Sequence, residues 1–375
     1  MHEERLIKPY QLMTSKIPVF IIFLIIVLSH LYAVDSRLHL IHADKSSGKM
    51  INGEKVRYLT GNVEAYQDTL TMLCDEAIFY EERSLVEFIG NVLIDDSHHK
   101  LWADKILYFS DTRIAHCLGR VKISGVNDSL YAEKFVYQFR EGNAEAEKNM
   151  YLWDKQNNAR LKGDSGRYIA NFNESHIYGN ARFEHNMPGG EDTLIITSKK
   201  MAYYGILPKK AVAEDSVRIF KGDVRASCDS ATYFVTNETV SLRIHPLAWQ
   251  DKNEMNGEEI DFTLDSLKIR EIYLTEKAQI SSLADSINNK YNVIKGKSIQ
   301  VSMGEDGPER VISRRNAISV FRIDENQINQ GTNSASSDSI IIYFKQGEAD
   351  SILIMGGTEG TFYPADWKGE IKSDY

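Results

Sequence analysis

The sequence predicts an all-β protein, an array of antiparallel strand pairs that follows an N-terminal export segment. Three observations carry this reading. The aromatics are lopsided, with 19 Tyr and 15 Phe against seven Pro in 375 residues, and aromatic and β-branched side chains favour pleated, half-buried surfaces. Apolar and polar residues alternate with period two inside short segments, as on the two faces of a strand. Two such segments recur in fixed phase along most of the chain, the signature of a repeat architecture.

The N-terminus comes first. Arg5, Lys8 and Lys16 precede an unbroken apolar run from Val19 to Leu28, and Ser29-His30-Leu31-Tyr32-Ala33 follows. A run of that length suits the core of a signal peptide, whereas a spanning helix needs about 20 apolar residues. Residues 1–33 therefore read as a signal peptide cut after Ala33, although Leu31 is large for the −3 position. An uncleaved anchor over Ile17–Val34 is the competing reading. Either way the body is exported.

In the body, the first element reads Leu59-Thr60-Gly61-Asn62-Val63-Glu64-Ala65. It returns as Phe88-Ile89-Gly90-Asn91-Val92-Leu93-Ile94 and as Cys117-Leu118-Gly119-Arg120-Val121-Lys122-Ile123. Weaker copies put Met150, Ala181, Val217, Ala248 and Ala278 at the Val position, and from Val63 onward the spacings are 29, 29, 29, 31, 36, 31 and 30. The second element reads Ala103-Asp104-Lys105-Ile106-Leu107-Tyr108 and Ala132-Glu133-Lys134-Phe135-Val136-Tyr137, with copies from Cys74, Gly163, Ser198, Cys228, Gly257 and Gly296. Its first position is small. Its sixth holds Phe79, Tyr108, Tyr137, Tyr168, Tyr203, Tyr233 and Phe262, with Val301 as the exception.

Alternation within each element predicts a strand, with Ile106 and Tyr108 on the face of Asp104 and opposite Ala103 and Lys105. Turn residues such as Asp95-Asp96-Ser97 and Glu141-Gly142-Asn143 join the strands. The Gly before Asn or Arg predicts a bend or bulge. Identical slots then stack into columns, about nine copies of a strand pair with an apolar inner wall and a polar outer one. One array is expected over 34–185 and a second over 190–322, separated by an insertion holding Pro188-Gly189-Gly190. Residues 323–375 read as an Asn-, Gln- and Ser-rich loop or linker (Asp324–Asp338) followed by a strand pair, Ile340–Phe344 and Ile352–Met355.

Charge and motifs exclude several functions. The formal charge is −9 with no long basic run, so nucleic acid is not an expected partner. Three cysteines cannot build a disulfide scaffold; Cys74 and Cys228 fill the small slot, and one disulfide stays open after export. Gly163-Asp164-Ser165-Gly166 resembles a serine-protease nucleophile segment, yet it occupies the small-acid-polar slot of the repeat. His98-His99 and His39-x-x-His42 read as solvated histidines rather than metal ligands. The recurring acids Asp75, Asp104, Glu133, Asp164 and Asp229 sit one per repeat, which fits pairing beside Lys105, Lys134 and Lys200 better than a calcium loop. No catalytic residue, cofactor or metal is expected.

The matched motifs Thr60-Gly61-Asn62-Val63, Ile89-Gly90-Asn91-Val92, Leu101-Trp102-Ala103-Asp104-Lys105 and Leu130-Tyr131-Ala132-Glu133-Lys134 resemble those of the OstA/LptA family of lipopolysaccharide transport proteins. The resemblance is strong over 55–140 and persists to about 300. It implies an open, twisted antiparallel β-jellyroll of V-shaped section, with a periplasmic location. It also implies lipopolysaccharide as the partner, its acyl chains riding in the trough, and edge-strand pairing with other transport proteins or further copies of the chain. The columns that would line that trough are Val63, Phe79, Val92, Tyr108, Val121, Tyr137, Tyr168, Tyr203 and Tyr233. The bland alternative is that these columns pack against one another as a dry sandwich. In function, the alternative is a structural or adhesive exported repeat protein that assembles strand to strand without lipid. A β-helix enzyme acting on polysaccharide would need acids converging in one cleft, which the sequence does not offer.

Overall fold

The computed structural model describes residues 37–371, apart from 98, 157, 187–192, 266–267, 286–289, 306, 326–327 and 346–347. The signal segment, the anchor alternative, His98 and the Pro188-Gly189-Gly190 insertion lie outside the described residues.

The chain folds as a meander. It begins with β1 (His39–His42), β2 (Lys45–Ile51), β3 (Glu54–Gln67), β4 (Leu70–Tyr80), β5 (Leu85–Asp95) and β6 (Lys100–Phe109). Next come β7 (Ile114–Ser124), β8 (Asp128–Gln138), β9 (Asn143–Asp154), β10 (Ala159–Ile169), β11 (Glu174–His185) and β12 (Leu194–Tyr204). Then follow β13 (Lys210–Lys221), β14 (Val224–Phe234), β15 (Thr239–Arg243), β16 (Leu247–Gln250), β17 (Asn253–Asn256) and β18 (Glu259–Asp265). The array ends with β19 (Lys268–Asp285), β20 (Lys290–Met303), β21 (Pro308–Glu325), β22 (Ile328–Lys345), β23 (Glu348–Met355) and β24 (Glu359–Pro364). All pairings are antiparallel and within one sheet, mostly between strands consecutive in the chain, while β1 pairs with β3, β14 with β16, β15 with β18, β17 with β19 and β22 with β24; β11 pairs with β12 across the insertion. The stretch expected as a loop or linker is strand instead: Asn333 pairs with Phe321 and Ser336 with Ile318. Its Ser and Asn side chains alternate along a strand that is hydrogen-bonded on both sides, so composition misled where pairing decides.

The bulge expected at each Gly is present, and it creates the fold. Thr60 pairs with Glu76 and Val63 with Cys74, leaving Gly61 and Asn62 opposite the single residue Asp75. Gly61 and Asn62 both have left-handed backbones, at φ 81° and 46°. The same step recurs between Ile89 and Val92, Leu118 and Val121, and Tyr178 and Ala181. At each corner the sheet folds over, so one strand contributes to two facing walls. Wall A holds segments such as 85–89 and 105–109. Wall B holds segments such as 92–95 and 100–103.

This corner corrects the expected alternation. Ala103 is buried, and so are Ile106 and Tyr108, although period two puts Ala103 on the opposite face from the other two. Asp104 faces the bulge and shifts the phase by one residue, so small slot and aromatic slot both point inward. The acids do not pair with the lysine beside them in sequence. They clamp the next corner, where Asn91 Nδ2 donates to Asp75 at 2.9 Å, Arg120 Nη2 to Asp104 at 2.6 Å and Asn149 Nδ2 to Glu133 at 2.6 Å. The Arg120 guanidinium holds the Asp104 carboxyl below the usual carboxylate range. These bonds are exposed and individually weak; their regularity sets the angle between the walls.

Between the walls lies one apolar cluster that runs from Leu59 to Ile342. Cys74, Cys117 and Cys228 are buried in it and free. Burial pushes the Cys74 thiol up to about 12 and Cys228 to about 11, and raises Cys117 and Tyr108 as well.

Two predictions follow from corners and core. Gly90→Ala should cost about 1–3 kcal/mol, because φ is 77° and the new Cβ would lie 2.5 Å from the Asp75 carboxylate. Ile244, a β-branched residue at φ 62° and 55% exposed, should behave oppositely: Ile244→Gly raises stability by about 1 kcal/mol. Urea midpoints would measure both. The second prediction concerns pH. The native state keeps protons on these thiols and on Tyr108 that the unfolded chain gives up, so their contribution is whole below about pH 8 and starts to fall near the unfolded thiol value of about 8.5. It is lost as the pH climbs through 11 to 12. The urea midpoint should fall between pH 8.5 and 11, and a flat or rising profile would contradict the burial.

Candidate functional site: an apolar trough

The space between the walls is not uniform along the array. Over β3 to β10 it is filled. Phe135, Tyr137 and Phe139 come from wall A and its turn, and they meet Ile94, Leu101 and Ile123 of wall B around a residual void of only about 20 Å³. Tyr137 and Phe139 stand edge to face at 4.6 Å, and Phe139 also meets Tyr108. At the rim the walls are tied together. Tyr108 donates its hydroxyl to Gln67 Oε1 at 2.5 Å, Gln67 Nε2 donates to the Ser110 carbonyl, and Arg113 pairs with Asp68. Gln67 is 1% exposed, so this polar closure sits inside the packing rather than on its surface.

From Phe183 onward the walls part. A trough of about 1560 Å³ opens between them and continues to Phe344. Wall A presents Ala211, Ala213, Ala231, Tyr233, Leu242, Phe262 and Val301, while wall B presents Ile196, Ile219, Met255, Ile280 and Ile294. Side-chain volume accounts for the change. The corner-plus-four position is fully buried as Ile94, Ile123, Leu152 and Phe183, but Ile219 and Ile280 are only half-buried. Ala231 stands in the slot that Phe135 fills in the plug, and from β19 on the strands lengthen, to 18 residues in β19, β21 and β22 against 10 in β6. Longer arms from the same corner make a deeper V.

The rim of the trough is polar. It carries Lys221, Asp223, Asp251 and Lys252 from wall B and Lys268 and Glu305 from wall A. Arg322 is held on the wall B side, donating from Nη1 to Asp285 at 2.6 Å. Such a site can take an apolar body lengthwise and leave a polar end at the water. It offers no nucleophile with a positioned base, and no group of three or more metal-ligating side chains occurs among the described residues.

Of the nine residues expected to line a groove, the structure brings one, Tyr233, to the open trough. It is half-buried, and burial pushes its hydroxyl up to about 12. Val63, Val92, Tyr108, Val121, Tyr137 and Tyr168 are buried in the filled part of the core, and Phe79 packs partly buried against it. Tyr203 is buried beside the trough. The other lining residues share the same slots: Phe262, Val301 and Ile342 are sixth-position copies, and Ile219 and Ile280 follow the corners as Ile94 does. The sixth slot gives no signal of the difference, since it stays aromatic through Tyr203, Tyr233 and Phe262.

A model of the OstA-like protein family matches residues 35–149. Among solved structures, LptH of Pseudomonas aeruginosa, the LptA-homologous periplasmic component of a lipopolysaccharide transport device, is similar at 12% identity and a TM-score of 0.28, over 31% of this chain and 82% of that one. No curated protein matches. The matched stretch begins before β1, ends within β9 and holds the first four corners, where the Gly-Asn and Ala-Asp-Lys motifs are most regular. Over residues 35–149, this chain is similar to the OstA-like family.

Proposed function

We propose that the protein is an exported, non-enzymatic carrier that shields the acyl chains of lipopolysaccharide in the trough between β11 and β22. The observation that carries this reading is the trough itself, apolar along its walls and polar at its rim. Each CH₂ left in water costs about 0.8 kcal/mol, so a twelve-carbon chain gains on the order of 10 kcal/mol from such a lining. The OstA-like segment supports lipopolysaccharide as the cargo class and the periplasm as the compartment, through the family resemblance.

The ends of the array fit a role in a longer assembly. β1 and β2 pair only with β3, and β23 and β24 only with β22, among the described residues. Both ends therefore offer backbone edges for strand addition, by which transport partners or further copies would extend the trough between the two membranes. The alternative of a lipid-free adhesive repeat draws on a specific feature too, the filled core over β3 to β10.

Photo-crosslinking in cells tests the proposal. A photoreactive residue at Tyr233 or Ile294 should give a lipopolysaccharide adduct, and one at Tyr108 should give far less. Absence of an adduct at every trough position would sink the carrier reading. Ala231→Trp supplies a second check: filling the trough should lower glycolipid co-purification in native mass spectrometry at least tenfold while leaving the urea midpoint within about 1 kcal/mol of the parent.

A further inference from the structure

The outer faces of the two walls differ in a way the trough does not explain. On wall A the exposed cations are neutralised across strands: Lys105 pairs with Glu87 at 2.8 Å, Arg167 with Glu145 at 3.4 Å and Lys134 with Glu147 at 3.8 Å. On wall B the register aligns Trp102, Lys122, Tyr131, Tyr151, Lys162 and Arg182 in one row across β6 to β11. Here the two lysines meet rings rather than acids. Lys122 Nζ lies 5.1 Å from the Trp102 ring and 5.9 Å from Tyr131, and Lys162 Nζ lies 5.7 Å from Tyr151.

A second row beside it runs Trp153, Arg160, Glu184, Ile195, Phe220, Arg225 and Trp249. Glu184 is the acid among these cations. Arg182 donates to it at 2.6 Å, and Lys162 and Arg160 add to the field that holds its carboxyl below the usual range. A chain of formal charge −9 thus carries one outer face where positive charge and aromatic rings are concentrated.

From this we infer that the outer face of wall B is a docking surface for an anionic lipid bilayer. Charge complementarity selects the partner: Lys122, Arg160 and Lys162 are available to headgroup phosphates, and each such cation adds about 1 kcal/mol near a negative membrane surface. The half-buried Trp and Tyr rings suit the interface, where an apolar body and a polar edge are both accommodated. With lysines standing over their faces, the rings are poorly placed to stack on sugars or bases. The nine strands from β6 to β14 span about 40 Å, enough for many headgroups at once. This inference is independent of what the trough carries.

The test uses the full chain with a solvatochromic dye on Tyr131→Cys; the native thiols are buried, so the label is selective. Vesicles containing phosphatidylglycerol should shift the dye emission to the blue at low salt, and phosphatidylcholine vesicles should not. Adding Lys122→Glu with Lys162→Glu should weaken the apparent vesicle affinity at least tenfold, whereas the wall A pair Lys105→Glu with Arg167→Glu should change it less than twofold. An equal melting temperature in all variants keeps the comparison one of surface charge. No shift with anionic vesicles, an equal shift with phosphatidylcholine, or tighter binding of heparin or single-stranded DNA than of vesicles would each overturn the inference. The apolar N-terminal segment is common to every variant and cannot produce the difference between the two walls.

Discussion

Everything in this fold hangs on the corner, two consecutive left-handed residues set against one residue of the neighbouring strand. Without it the chain would be a flat meander with one face wet, and its apolar columns would have nothing to pack against. With it, each strand turns back over its neighbours, and a single sheet supplies both walls of its own core. The corner is met by Gly-Asn at 61–62, 90–91 and 179–180 but by Asp215-Ser216, Ile244-His245, Glu276-Lys277 and Arg315-Asn316 further on. The later corners put side chains in a backbone region that costs roughly 1–2 kcal/mol per residue. They persist because strands on both sides fix the geometry, so neighbouring corners stabilise one another.

That gradient explains how far the architecture was legible. The phased Gly-Asn and Ala-Asp-Lys elements announced strand pairs, bulges and an inner wall, and they did so best where Gly still marks the corner. The phase shift at Asp104 was not legible, because period two assumes an unbroken strand and nothing local reports that the acid faces a bulge. The stretch around Asn329 to Ser337 was misread for a related reason: on a strand with partners on both sides, polar side chains cost little when they bond to nearby backbone, as Ser337 does to the Ser339 carbonyl at 2.8 Å. Composition records the side chains and not the pairing.

The site was less legible than the fold. Columns of Val and Tyr were visible, but whether two facing columns touch depends on the sum of side-chain volumes across the gap and on the length of the strand arms. Over β5 to β8 that sum closes the gap, with Phe135, Tyr137 and Phe139 filling it. Over β12 to β21 it does not: Ala211, Ala213 and Ala231 face Ile196 and Ile219 on arms of ordinary length, and the arms lengthen only from β19 on. The most conspicuous repeats therefore mark the closed half, and the weaker copies mark the open one.

Magnitudes decide between a dry sandwich and a trough, and they decide differently for the two halves. Unfilled apolar cavity costs about 24 cal/mol per Å³. The 20 Å³ left over β5 to β8 then costs about half a kilocalorie per mole, well within the tolerance of a packed core. At 1560 Å³ the second space is far beyond what a closed core could leave unfilled, and it is instead an open trough that solvent can enter along its polar rim. A space of that size cannot persist as an empty core. It has to collapse, admit water along its polar rim, or hold something apolar. The corners resist collapse by setting the angle between the walls, and water gains little from a lining of Ile, Ala, Met and Phe. The left-handed residues of the later corners and the width of the trough therefore belong to one geometry: the corners hold apart two walls whose lining is apolar.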